Sequence, residues 1–394
     1  MDNRERLVRT FEHEEPDRVL VHWRGFLPNG TFYRDWMATV AETLEDEDVL
    51  ILPEIGDVTL QHWAGQDTVF GGIPGVVGYP SVPLLDCIDL YPRIKEVLRH
   101  VKDLSKCRVS WNGSIHTTET RNGLPYSWYH DGFFRTPEVR EAFYERYGHF
   151  SEERFRPTEE HADRLAKQLS ALERLGYPKV MVCFSGGFWE PFFEGTGLGP
   201  AGHAMRKHPS HVRKVMAEFF AAWERAWKLM LDAGAEVVAT ADDLGQKGRG
   251  LLAPAHWREF IKPRYSRLMA VAHRRGAFTW QHCCGFVEDF LPDLADAGLD
   301  AIQSLEPAAG VDLGRVKENF GDRLVLVGGM DTTNTMSFGT VEECVADAKH
   351  CLKVGMPGGG YVAGGSHRVI DVPVENFVAV RDAIRAWGTY PCRL

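Results

Sequence analysis

From Thr158 onward the chain alternates short apolar runs with amphipathic helical runs, and this alternation restricts its fold more than any other feature. Lys179 to Phe184, Glu236 to Thr240, Phe278 to Trp280, Ala301 to Leu305, Leu324 to Val327 and Tyr361 to Ala363 read as strands. Helical runs lie between them. The longest carries Val212, Val215, Met216, Phe219, Phe220, Trp223, Trp227 and Met230 at helical spacing, with Ser210 as its cap and Gly234 at its end. Another, Pro254 to Arg275, should bend near Pro263, because proline removes a backbone donor and crowds the preceding turn. Strands joined by helices make parallel β/α units.

The first half is less regular. Arg4 to Phe11 reads as a helix and Val19 to His22 as a strand. Trp23 to Trp36 is rich in glycine and aromatics and reads as a loop over a cleft. Val49 to Leu52 and Leu124 to Tyr129 are two further short strands, and residues 55–120 read as an excursion or cap. Together the strands come to roughly the eight that a closed barrel needs. The expectation is therefore an α/β chain with a TIM-type (β/α)8 barrel, an N-terminal extension and loop insertions. No linker or longer repeat divides it, so residues 1–394 are expected to form one domain. The first strand is not followed by G-x-G-x-x-G, which argues against a dinucleotide-binding sheet.

A net charge of -10 argues against nucleic acid and against an anionic membrane surface as partners. No apolar run is long enough to span a bilayer. The charged start, Met1-Asp2-Asn3-Arg4-Glu5-Arg6, lacks the apolar core of a secretory signal. The 8 cysteines have no disulfide-like spacing, which fits a reducing cytoplasm.

In a barrel of this kind chemistry sits at the C-terminal ends of the strands. Those ends carry Ser185 to Glu190, Asp242-Asp243-Leu244-Gly245, His282-Cys283-Cys284-Gly285, Glu306-Pro307, Gly328 to Asp331 and Gly364 to His367. Strand alternation puts His282 and Cys284 on one face and Cys283 on the other. His282, Cys284 and Glu306, on neighbouring ends, offer nitrogen, sulfur and oxygen, a set that suits zinc with an open fourth position. Asp242, Asp243 and Asp331 are candidates to orient substrate or manage protons, although an acid after a strand is also an ordinary helix cap. Trp189, Glu190 and His367 are candidates to contact substrate.

Taken together, these stretches resemble the uroporphyrinogen decarboxylase superfamily. Glu15-Pro16-Asp17-Arg18, Asp242 to Gly245, Pro254 to Gly276, His282 to Gly285, Gly328 to Asp331, and Ser366-His367 through Pro373 to Asn376 carry the likeness. They resemble its branch of corrinoid-dependent methyltransferases more than its decarboxylases. In the methylcobamide:coenzyme M methyltransferases of that branch, zinc is held by a His-x-Cys pair, a glutamate and a later cysteine. His282, Cys284 and Glu306 match the first three, while the later cysteine falls near Ser366. The resemblance implies zinc, a corrinoid carried by a partner protein, a small methylated substrate such as an aryl methyl ether, and a possible homodimer. One thiolate and one carboxylate roughly cancel the charge of zinc, which favours Lewis-acid chemistry over thiol activation. The decarboxylase branch calls for several cations at the cleft. The Trp23 to Pro28 stretch supplies only Arg24, so porphyrinogen decarboxylation ranks second, and a non-catalytic ligand-binding barrel third.

Overall fold

The computed structural model describes residues 1–25, 33–44, 51–52, 56–73, 81–121, 124–174 and 180–394. Eight parallel strands make one sheet: β1 (Leu20–Val21), β2 (Thr68–Gly71), β3 (Val180–Gly186), β4 (Val237–Ala241), β5 (Phe278–His282), β6 (Ala301–Ser304), β7 (Val325–Gly328) and β8 (Tyr361–Ala363). From β2 to β8 each strand pairs with the next, and β8 returns to β1 through Leu20↔Val362. Asp67 bridges the remaining seam. Its N–H donates to the Val21 carbonyl at 2.9 Å, and its Oδ2 accepts from the Val21 N–H at 2.9 Å. The result is the nearly closed (β/α)8 barrel that the alternation implied.

Inward side chains fill the barrel: Leu20, Val182, Val237, Ala239, Trp280 and Val325 are among them. Leu7 and Phe11 of α1 (Asn3–Phe11) join that cluster, with Phe11 4.6 Å from the Phe278 ring at the start of β5. Helix α1 therefore closes the N-terminal mouth of the barrel and leaves the C-terminal rim for chemistry. A second core lies between the sheet and its helices. There α3 (Pro209–Asp232) buries Val212, Val215, Met216, Phe219, Phe220, Trp223, Trp227 and Met230. The other helix that matters for the site is α2 (Trp189–Thr196), which starts just beyond β3. No described helix is long and apolar enough to cross a membrane.

Several expectations shift. The second barrel strand is Thr68–Gly71, within the stretch read as an excursion or cap. Ile51–Leu52 pairs antiparallel with Gly56–Asp57, outside the barrel, and Val49 and Leu50 lie outside the described residues. Leu124–Gly132 is a strand, but it belongs to a four-stranded antiparallel sheet with Val82–Pro83, Cys107–Val109 and Ser114–Arg121. That sheet is the excursion between β2 and β3. Tyr33–Thr43 is a helix, so Trp36 is not in a loop, while residues 26–32 lie outside the described residues. Helix α3 begins at Pro209, with proline at its first position in place of a Ser210 cap. The bend before Pro263 takes the form of a π-helical turn, Trp257–Ile261.

Candidate functional site

Alternation along β5 decides what reaches the rim. Phe278 and Trp280 face the barrel interior, and His282 follows them there, fully buried. Cys284, two residues on, brings its Sγ to 3.0 Å from His282 Nε2. Cys283 points the other way, into the core between sheet and helices, where its sulfur accepts from the Leu244 N–H at 3.3 Å. The third member comes from the loop after β4. Asp243 Oδ1 lies 3.7 Å from His282 Nε2 and accepts from the Cys284 N–H at 2.7 Å. Donor atoms of Asp243, His282 and Cys284 all lie within 4.8 Å of one another, the one such group among the described residues.

Imidazole, thiol and carboxylate are the donor types that zinc favours, so the group fits that ion. Burial, with the charge of Arg24 added, holds the His282 imidazole well below its ordinary value and therefore neutral, the form that ligates. Burial and the charge of Asp243 push the Cys284 thiol well up, so an incoming metal ion must displace its proton. Arg24, at the end of β1, has Nη1 3.8 Å from the Cys284 sulfur.

Close backbone contact locks the two loops together. A Cβ on Gly285 would come within 2.3 Å of the Gly245 backbone, and one on Gly245 within 2.5 Å of Phe286. Gly285 also sits at φ +77, where side chains are disfavoured. Both glycines of the Asp-Asp-Leu-Gly and His-Cys-Cys-Gly stretches are thus explained by packing.

Glu306 is not in the three-donor group. Its Oε2 accepts from the Gly285 N–H at 2.9 Å. The two residues before it, Ser304 at φ 135 and Leu305 at φ 52, hold conformations that side chains rarely adopt. Ser366, at the place of the later cysteine, turns its hydroxyl toward Thr332 Oγ1 at 3.2 Å. His367 is half-buried on the rim, and the charges of Arg24, Glu306 and Arg368 bear on it.

The remaining candidates divide. Asp242 is buried and caps α2: it accepts from the N–H groups of Phe188 at 3.1 Å, Trp189 at 3.1 Å and Glu190 at 2.7 Å. Burial raises its carboxyl to about 6 against those three donors. Asp331 caps its own loop, accepting from the N–H groups of Thr333 at 3.0 Å and Asn334 at 2.9 Å. Trp189 is 1% exposed and packs 5.4 Å from the Phe193 ring, so it is part of the core. Glu190 does face open space. A cavity of about 300 Å³ lies between the ends of β3 and β4 and the antiparallel sheet. Glu190, Glu194, Asn112, Trp111 and Trp223 line it. Glu190 Oε2 accepts from the Asp243 N–H at 3.4 Å, which ties the cavity wall to the donor group. Burial and then the charge of Asp243 keep the Glu190 carboxyl high, and burial lifts Glu194 to about 7.

Strand alternation and loop chemistry pointed to His282, Cys284, Asp243 and Glu190. They did not point to Glu194 or Asn112, which reach the cavity only through tertiary folding, nor to Gln303. A long polar side chain at an inward position of β6 was the one available signal for Gln303.

The uroporphyrinogen decarboxylase (URO-D) family profile matches residues 193–387, which include β4 to β8 and all three donors. The methylcobamide:CoM methyltransferase MtaA of Methanosarcina barkeri is 33% identical over 156 residues, 39% of this chain and 43% of that protein. Its counterpart from strain Fusaro is 31% identical over the same shares. The match thus spans less than half the length of these curated relatives. A methyltransferase from Methanosarcina mazei superposes with a TM-score of 0.61 at 19% identity, covering 98% of this chain and 99% of that one, a likeness of fold. These findings bear out the resemblance to the uroporphyrinogen decarboxylase superfamily, near its corrinoid-dependent methyltransferase branch.

Proposed function

We propose that this chain is a zinc-dependent methyltransferase that moves a methyl group from a small methylated compound to the corrinoid of a partner protein. The observation that carries the reading is the convergence of Asp243, His282 and Cys284 at the rim, beside a cavity of about 300 Å³. His282, Cys284 and a carboxylate, from Asp243 or Glu306, would hold the zinc. Zinc, when bound, supplies a Lewis acid that makes an ether or similar oxygen a better leaving group.

The chain's own residues do the rest. The cavity takes the methyl donor, with Trp111 and Trp223 supplying apolar walls. None of its described lining residues is basic, and two are glutamates, so a neutral or cationic donor fits better than a carboxylate-bearing one. A neutral aryl methyl ether meets that condition. As the O–CH3 bond breaks, its electron pair stays on oxygen, and the carboxyl of Glu190, kept protonated by burial, can give that oxygen a proton. Asp242 acts by seating α2, and with it Glu190 and Glu194. The corrinoid must reach the methyl group directly. With α1 closing the N-terminal mouth, the partner docks on the rim, near Arg24, His367 and Arg368. With no cation among its described lining residues, the cavity also offers nothing to pair with the carboxylates of a porphyrinogen.

The test is a single-turnover assay with reduced corrinoid and a panel of neutral methyl ethers, followed by absorption spectroscopy. The expected result is a methylated corrinoid and no porphyrinogen decarboxylation. Efficient decarboxylation by metal-free protein would overturn the reading.

A further inference from the structure

We infer that Gln303 is a positioning residue for the rim group: its side-chain carbonyl holds His282 as the Nδ1–H tautomer, so that Nε2 faces Cys284 and Asp243 with a free lone pair. The inference deepens the proposed function, since it concerns how His282 is readied for a metal ion.

A neutral imidazole has one N–H and one lone pair, and the partner of one nitrogen decides what the other can do. In β5 and β6, His282 and Gln303 are directly paired. Gln303 is 1% exposed, and its neighbour two residues back, Ala301, belongs to the barrel interior, so both side chains point inward. Gln303 Oε1 meets His282 Nδ1, and a carbonyl oxygen there can only accept. His282 Nε2 is left facing Cys284 Sγ at 3.0 Å and Asp243 Oδ1 at 3.7 Å. The Nε2 to Sγ distance is that of a hydrogen bond in which an S–H donates to that lone pair, which agrees with the same tautomer.

The backbone carbonyl of Gln303 accepts from the Cys283 N–H at 3.0 Å, so the same position also holds the turn that carries Cys284, as any residue there would. One observation sets the glutamine side chain apart from a packing residue. Its Nε2 is buried without a hydrogen-bond partner among the described residues. A methionine of similar shape would fill the space without burying an unpaired donor, so packing alone does not account for glutamine here. Partners of this kind typically change metal affinity by about 10- to 100-fold when removed.

The experiment uses the full chain with two substitutions, Gln303→Met and Gln303→Glu. Zinc affinity is measured by competition with a chelator, and the His282 tautomer by 15N chemical shifts in the metal-free protein, with His282→Gln to assign the signal. The expected result is an Nδ1–H imidazole in the native chain and in Gln303→Glu, which also keeps its zinc affinity. Gln303→Met should lose the Nδ1–H signature and bind zinc about 10- to 100-fold more weakly. Unchanged tautomer and unchanged affinity in Gln303→Met would overturn the inference. If Gln303→Met does not fold, an Nε2–H imidazole in Gln303→Glu would overturn it equally. Should the native chain bind zinc no better than His282→Gln, the metal reading fails, while the tautomer measurement still decides the role of Gln303.

Discussion

Two adjacent cysteines at the rim show how much one step along a strand matters. Cys284 shares the inward side with His282, and Cys283 is buried among apolar side chains behind the sheet. Cys284→Ala removes a soft donor and is expected to lower zinc content and abolish transfer. Cys283→Ala should keep zinc and destabilise by on the order of 1 kcal/mol, because little volume is lost. Metal analysis of both variants decides, and zinc lost from Cys283→Ala alone would contradict the assigned faces. A second residue-scale effect belongs to Glu194. Burial, opposed by a hydrogen bond from Asn112 and reinforced by Asp243, holds its carboxyl at about 7 against an ordinary 4.5. A folded value above the unfolded one means that the contribution of this group to stability is fully present below about 4.5 and is lost as pH rises through about 7. Glu194→Gln is therefore expected to stabilise the protein at pH ~8 by on the order of 1–2 kcal/mol and to change little at pH ~5. Urea unfolding at the two pH values tests this, and an equal gain at both would point to packing instead of charge.

Elements meet at the site through buried caps. Three N–H groups at the start of α2 depend on Asp242, which comes from the end of a different strand. Asp242→Ala leaves them unpaired in the core, and the expected cost is about 2–4 kcal/mol by chemical denaturation. A loss below ~1 kcal/mol would show that α2 is held by packing alone. The same dependence on distant partners explains what was legible in the sequence. Strands β3 to β8 announce themselves as apolar runs between amphipathic helices. Strand β2 does not, because its apolar part is only Val69-Phe70 and the residues that lead into it, Gln66-Asp67-Thr68, are polar and buried. Asp67 is satisfied there by Arg18 at 2.6 Å and by the Val21 N–H, partners 46 to 49 residues away. Leu124–Gly132 has the alternation of a strand, but alternation does not name the neighbour it pairs with. At the site, a period of two placed His282 and Cys284. The carboxylate nearest to them was less legible: Glu306 stood at the next strand end, whereas Asp243 is brought beside His282 and Cys284 by the Cys284 N–H once the loops after β4 and β5 interlock.

At the scale of the whole molecule, the barrel is closed at one end by α1 and carries its donor group, its cavity and its few rim cations at the other. In the proposed reading, that polarity makes the rim the place where methyl donor, metal ion and corrinoid would meet. The chemistry available there would follow from the composition of the metal site, because one sulfur donor with nitrogen and oxygen partners gives a near-neutral Lewis acid, whereas two would give an electron-rich site. X-ray absorption at the zinc edge of the purified, zinc-loaded chain tests this most directly. The expected result is one sulfur at about 2.3 Å and the remaining donors at about 2.0–2.2 Å. A site with two sulfurs, or with none, would contradict it.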